Sequence, residues 1–259
     1  MHHRFCSLLP LLLLLAPAVP IQAQALDTPQ AVLKAHIQAT GGEVAWGRVH
    51  TLRMEGTSQA SGRTGGGGKF KDVWKFPGYR RTENEGAMMV SSDGGEQTFR
   101  VVMITTPEAA WAETPMGRQP LPAADPLVMQ AAKPEQILLQ DPAYTLLGVE
   151  QSTLHEKPVY TVRYEHAGRT LRRYYDRTTL YLVAAEQTIE GQILTTWYDD
   201  YRRVGDVLLP HHIKRQTLMQ TISTDSGDTG SRLQVGTDTI VQTLARIDVN
   251  PTLDDQLFR

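Results

Sequence analysis

Between Thr170 and Ile213 apolar and polar residues alternate with a period of two, the repeat of a strand with one covered face and one wet face. Tyr181, Val183, Ala185 and Ile189 fall on one side of Leu180–Glu190, and Ile193, Trp197 and Tyr201 on one side of Ile193–Arg203. Val207, Leu209, His211 and Ile213 continue the alternation. The breaks, Arg177-Thr178-Thr179, Gly191-Gln192 and Gly205-Asp206, are short and turn-forming, so the run predicts consecutive antiparallel hairpins.

The same pattern predicts strands at Val49–Thr57, Lys69–Phe76, Tyr79–Glu85, Met88–Ser92, Gln97–Thr105 and Ala109–Thr114, then at Tyr144–Ser152, Val159–His166 and Thr239–Val249. Helical spacing interrupts it twice. Thr28 can cap a helix with Pro29 in its first turn, Val32, Leu33, His36 and Ile37 on its inner face, and Gly41-Gly42 at its end. From Pro122 to Gln140, Leu127, Val128, Ala131 and Ala132 form one stripe before Pro134, and Ile137 and Leu138 follow it, which predicts a pair of short helices.

About eleven strands cannot remain one flat open sheet. The expected fold is mainly β with a few helices: a strongly curled antiparallel half-barrel whose concave face is covered by a helical lid. Alternation nominates Phe70, Trp74, Val101, Met103, Trp111, Tyr160, Val162, Tyr164, Trp197 and Tyr201 as an apolar lining of that face. Removing such a surface from water yields about 25 cal/mol per Å², enough for a long acyl chain to bind in the micromolar range. The same side chains would equally serve as a filled core against the helices.

Met1–Ala25 reads as a signal peptide: Arg4 opens it, Leu8–Leu15 is its apolar core, and Ala23 and Ala25 fit the small-residue rule for cleavage before Leu26. Its apolar core is far shorter than the roughly 20 residues a bilayer span needs. The expectation is export to the periplasm and one domain over Leu26–Arg259, with no transmembrane span after cleavage. The single cysteine, Cys6, lies inside the leader, so the mature chain is expected to carry neither disulfide nor lipid anchor. Losing Arg4 takes the formal charge only from −2 to −3, and no basic tract supports nucleic acid as a partner.

Catalytic signatures fail on spacing. After His155-Glu156 the second zinc histidine would have to stand where Val159 does, and Pro158 would break the helix. No G-x-S-x-G occurs. Gly65–Gly68 before Lys69 imitates a phosphate-binding loop, but Arg63 and Phe70 stand where glycine and a hydroxyl are needed. No cofactor is expected. His211-His212 keeps an acid–base role open, although adjacent strand residues face opposite ways and His211 shares the side of core positions. Asp199-Asp200 is expected to make cross-strand pairs with Arg202, Arg203 or Arg173.

Ala39-Thr40-Gly41-Gly42 followed by Trp46 and the strand Leu52–Gly56, with Tyr198-Asp199-Asp200-Tyr201-Arg202, Gly205-Asp206-Val207-Leu208-Leu209-Pro210-His211 and the closing Ile247-Asp248-Val249-Asn250-Pro251, resembles the LolA-like outer-membrane lipoprotein-sorting superfamily, in particular its poorly characterised secreted members. The resemblance spans most of Leu26–Arg259. It implies a LolA-like half-barrel and a non-catalytic periplasmic carrier or sensor for a lipid, a lipoprotein or another hydrophobic small molecule. An interaction module of an envelope or secreted-enzyme complex, with a filled core, and a hydrolase using His211 and a carboxylate are the alternatives.

Overall fold

The computed structural model of the chain describes residues 26–61, 66–89, 96–121, 134–189, 192–224 and 231–259. Residues 1–25, where a signal peptide is expected, and the stripe from Leu127 to Ala132 lie outside them. Thirteen strands form one antiparallel sheet: β1 Thr51–Ser61, β2 Gly66–Lys75, β3 Tyr79–Met89, β4 Glu96–Thr105, β5 Ala110–Thr114, β6 Gly117–Pro120, β7 Tyr144–Leu154, β8 Lys157–His166, β9 Arg169–Asp176, β10 Leu182–Ile189, β11 Gln192–Val204, β12 Val207–Thr224 and β13 Ser231–Val249. Their order is β6-β5-β4-β3-β2-β1-β13-β12-β11-β10-β9-β8-β7. The chain therefore steps outward from β1 to one edge, crosses to the opposite edge, and returns strand by strand until β13 pairs with β1. The edges β6 and β7 do not pair, so the sheet stays an open half-barrel.

The expected helix at the start of the domain is α1, Pro29–Ala39. Thr28 caps it by accepting a hydrogen bond from the Ala31 amide at 3.2 Å, and Val32, Leu33, His36 and Ile37 are its buried face. It is followed by α2, Gly42–Gly47, and the crossover carries α3, Pro134–Gln140. Gly41, at φ +138°, both ends α1 and docks it: a Cβ there would lie 2.6 Å from the Asp206 carbonyl oxygen. Beside it the Leu208 amide donates to the Thr40 carbonyl at 2.8 Å, which joins the end of α1 to the β11–β12 hairpin.

Three differences from the sequence expectation have physical causes. First, Gly86 does not break β3 in two. It pairs with Gly68 of β2, and a Cβ on Gly68 would sit 2.0 Å from the Glu85 carbonyl oxygen, so these glycines mark a close crossing of strands rather than a turn. Second, β6 has only exposed residues and hence no alternation to detect. Third, β12 runs out to Thr224 and β13 back from Ser231, so the last strand is longer than the expected Thr239–Val249. The described residues hold thirteen strands, against the expected number of about eleven.

Two buried clusters occupy the face that the helices cover. Ile37, Trp46, Leu52, Phe70, Trp74, Val207, Leu209, Leu244 and Ile247 share one, and Val32, Leu33, Leu138, Tyr144, Tyr160, Val162, Tyr164, Leu171, Tyr175 and Leu182 share the other. α1 contributes to both, so it holds the two halves of the sheet against each other. On the opposite face, Val73, Val102 and Ile104 are covered by Phe258, Leu253 and Leu257 of the C-terminal segment.

Candidate ligand trough

Cross-strand partners share a face, and the register therefore sorts the nominated lining. Val101, Asn84, Phe70, Gly56 and Leu244 form one row; Met103, Thr82, Asp72, Met54 and Ile247 form the next; Thr105, Arg80, Trp74, Leu52 and Val249 form a third. All lie on the helix-covered side, with Tyr160, Val162 and Tyr164 at its other end. Trp111 does not. It pairs with Ile104 and packs in the cluster under the C-terminal segment.

Trp197 is also turned away. It pairs with Ala184 and Lys214, and its ring meets His155, with centroids 4.9 Å apart. Tyr198 takes the inward position, and Tyr201, three residues on, also lines the inner side. Strict alternation would separate Tyr198 from Tyr201. Asp200 between them has φ +54°, outside the strand range, while the pairing with β12 keeps one register on both sides of it. The Tyr201 hydroxyl then donates to the Leu182 carbonyl at 2.9 Å.

Under α1 and α3 the concave side is filled by a polar network. Glu135 of α3 accepts hydrogen bonds on one oxygen from Arg173 and from the Tyr175 hydroxyl, each at 3.0 Å, while its other oxygen lies 3.7 Å from Nε2 of His36. Arg173 also donates to the Tyr175 hydroxyl at 3.1 Å. The His36 Nδ1 is 2.7 Å from the Leu180 carbonyl oxygen. Burial would raise the Glu135 pKa, but Arg173 and His36 hold it below the ordinary carboxylate value. Burial is also the first cause that lifts Tyr175 and Tyr201 well above the usual phenol range. The cavity between these groups, Tyr198 and Trp46 measures about 40 Å³, room for a water or two.

A second pair lies on the other half of the trough. Asp72 accepts from Arg80 at 2.9 and 2.8 Å and from the Thr82 hydroxyl at 2.9 Å, and the Arg80 guanidinium lies 4.3 Å from the Trp74 ring centroid. Farther along this half, Met103 and Ile240 remain 38% and 39% exposed on the inner side. Sequence reasoning missed Asp72, Arg173 and Glu135. Two of them left a trace: Asp72 stands in phase with Phe70 and Trp74, and Arg173 in phase with Leu171 and Tyr175, so each is a charge at a core position.

His211 is buried, its Nδ1 is 3.0 Å from the Leu209 carbonyl oxygen, and among the described residues no hydrogen bond joins it to a carboxylate. Asp200 pairs with Arg202 along its own strand, at 2.9 and 2.6 Å, rather than across strands, and Asp199 accepts from the Asp200 amide. No group of three metal-ligating side chains occurs among the described residues. None of the described helices is long and apolar enough to cross a membrane.

No protein-family model matches the chain, and no curated protein matches it by sequence. Solved structures match it by shape. An outer membrane lipoprotein-sorting protein domain from Vibrio parahaemolyticus superposes with a TM-score of 0.50 at 9% identity, over 89% of this chain and 95% of that one. A LolA superfamily protein from Nitrosomonas europaea gives 0.49 at 11% identity, over 90% and 97%. A DUF1329 family protein from Desulfovibrio piger gives 0.45 at 9% identity, over 89% and 96%. The fold is LolA-like, as the resemblance implied.

Proposed function

We propose that this protein is a non-catalytic carrier or sensor, exported to the periplasm, that holds an acyl-chain ligand on the open half of its concave face. The observation that carries the reading is a pair of large apolar side chains, Met103 on β4 and Ile240 on β13, each left more than a third exposed at separate places on the inner side of a half-barrel that does not close. Large side chains that would lose free energy by facing water are retained where a greasy ligand could cover them. The ligand is not seated under α1 and α3, because a cavity of about 40 Å³ is far below the roughly 300 Å³ at which small-molecule pockets begin. The solved structure that shares the fold, described as a lipoprotein-sorting domain, is consistent with this class of ligand.

The test is native mass spectrometry and solvent extraction of protein recovered from a periplasmic extract of cells expressing the whole chain. A co-purifying amphiphile is the expected result. Protein that is retained in the cytoplasm, or that is homogeneous, empty and unable to bind dansyl-undecanoic acid, overturns the reading.

A second reading has its own observation. The close packing of α1 and α3 on β7–β11 is what an interaction module with a filled core would have. It predicts that cross-linking in cells recovers one envelope partner while the purified protein stays free of lipid.

A further inference from the structure

Two arginines that the register places on the inner face are neutralised there: Arg80 by Asp72, and Arg173 by Glu135. Arg215 of β12 is not. It pairs in register with Thr196 on one side and Ile240 on the other, and follows Leu209, His211 and Ile213 in phase, so its side chain belongs to the trough. It makes no hydrogen bond or ion pair with any described residue. Asp238, the acid two positions from Ile240 on the same face, has an interaction of its own.

Arg215 is half-buried and still in reach of water, as a group on the floor of a trough must be. Burial, and next the Arg80 guanidinium, lower its pKa, while Tyr198 and Asp72 act the other way. Arg80 stands on β3, four strands from β12. In a flat sheet that is about 19 Å across the strands alone, at roughly 4.8 Å per strand, with a further offset along them because the Arg80 row meets β13 at Val249 and Arg215 meets it at Ile240. The two cations influence each other because the sheet curls. A guanidinium that has lost part of its hydration, feels a second cation and has no ion-paired carboxylate among the described residues is an oxyanion site. Its register partner Ile240 is 39% exposed, so the cation borders bare apolar surface.

We propose that Arg215 anchors the oxyanion head, carboxylate or phosphate, of a single-chain amphiphile whose hydrocarbon tail lies over Ile240. This rests on the carrier reading and narrows it from greasy ligands in general to anionic ones. The shared chemistry is a bidentate oxyanion on a planar fork beside an apolar strip, which neutral lipids cannot satisfy.

The experiment titrates the folded protein with dansyl-undecanoic acid, with its methyl ester, and with dodecyl phosphate and inorganic phosphate as competitors, for the wild type, Arg215→Gln and Arg215→Lys. Circular dichroism checks that each variant is folded. The acid should bind the wild type about tenfold or more tightly than the ester, a factor worth about 1.4 kcal/mol. Arg215→Gln should remove that preference and leave the ester unchanged, and Arg215→Lys should keep part of it. Dodecyl phosphate should displace the probe where inorganic phosphate at the same concentration does not. Equal affinity for acid and ester, an unchanged Arg215→Gln, or equal displacement by inorganic phosphate overturns the anchor but leaves the carrier. Failure of both long-chain probes to bind overturns the carrier, and the anchor with it.

Discussion

Glu135 couples α3 to the sheet, and its surroundings give the coupling a pH dependence. Its folded pKa lies below the ordinary 4.5, so the stabilisation is fully present above about pH 4.5 and is lost as pH falls through the folded value. Replacing Glu135 with Gln leaves Arg173 buried without its partner and should cost about 3–5 kcal/mol at pH 7. The gap between wild type and Glu135→Gln in urea denaturation should then narrow as the pH is lowered below 4.5. A gap that stays constant from pH 3 to pH 7 would show that the carboxylate charge is not what holds α3. Asp72→Asn tests the other pair. Arg80 keeps its place over Trp74 but loses a charged acceptor, and the urea midpoint should drop by an amount equivalent to about 3 kcal/mol. These charges were legible in part, since Asp72, Arg173 and Arg215 each stand in phase with apolar neighbours. Glu135 was not, because nothing local indicates that a polar residue near the start of a seven-residue helix will meet β9, 38 positions along the chain.

Among the elements, α1 was readable in full, from its threonine cap to the glycines that end it, because capping and a 3.6-residue stripe are local signals. The strands were readable wherever one face is buried. They were misread where glycine does something other than turn, at Gly86, and where a strand has no buried face, at β6. Gly68→Ala therefore probes an element and not a loop. Its Cβ would meet β3 backbone at 2.0 Å, which cannot move aside as a flexible side chain could, and a loss of about 1–3 kcal/mol in thermal or urea denaturation is expected. An unchanged melting temperature would mean that β2 and β3 cross less closely. The inward turn of both Tyr198 and Tyr201 is another element-scale effect. Period-two reading grouped Tyr201 with Trp197, whereas Tyr201 lines the inner side beyond Asp200, whose φ is positive.

Across the whole molecule, the strand order leaves β6 and β7 apart and sends the crossover carrying α3 between them. One half of the trough is filled by α1, α3 and their ion network, and the other keeps apolar surface in water. A negative charge on the open half should therefore interfere with an acyl ligand without unfolding the protein. Ile240→Glu should weaken dansyl-undecanoic acid at least about tenfold, roughly 1.4 kcal/mol, with the urea midpoint unchanged. Unaltered affinity would move the ligand off this surface. Leu33→Ala, on the filled half, should do the reverse: about 2–5 kcal/mol of stability lost with little change in probe affinity.

The sequence by itself determined that the described chain is a meander of hairpins with an amphipathic helix at its start, because alternation, caps and turn residues act over a few neighbours. It also determined that most of the large apolar side chains share one face, since period two leaves them no other choice within a regular strand. Only the tertiary structure decided which half of that face is filled, that Trp111 and Trp197 face away, and that Arg215 has no ion pair among the described residues where Arg80 and Arg173 each have one. Those outcomes depend on register and curl, which bring together groups four strands or more than a hundred residues apart, and no local pattern encodes such distances.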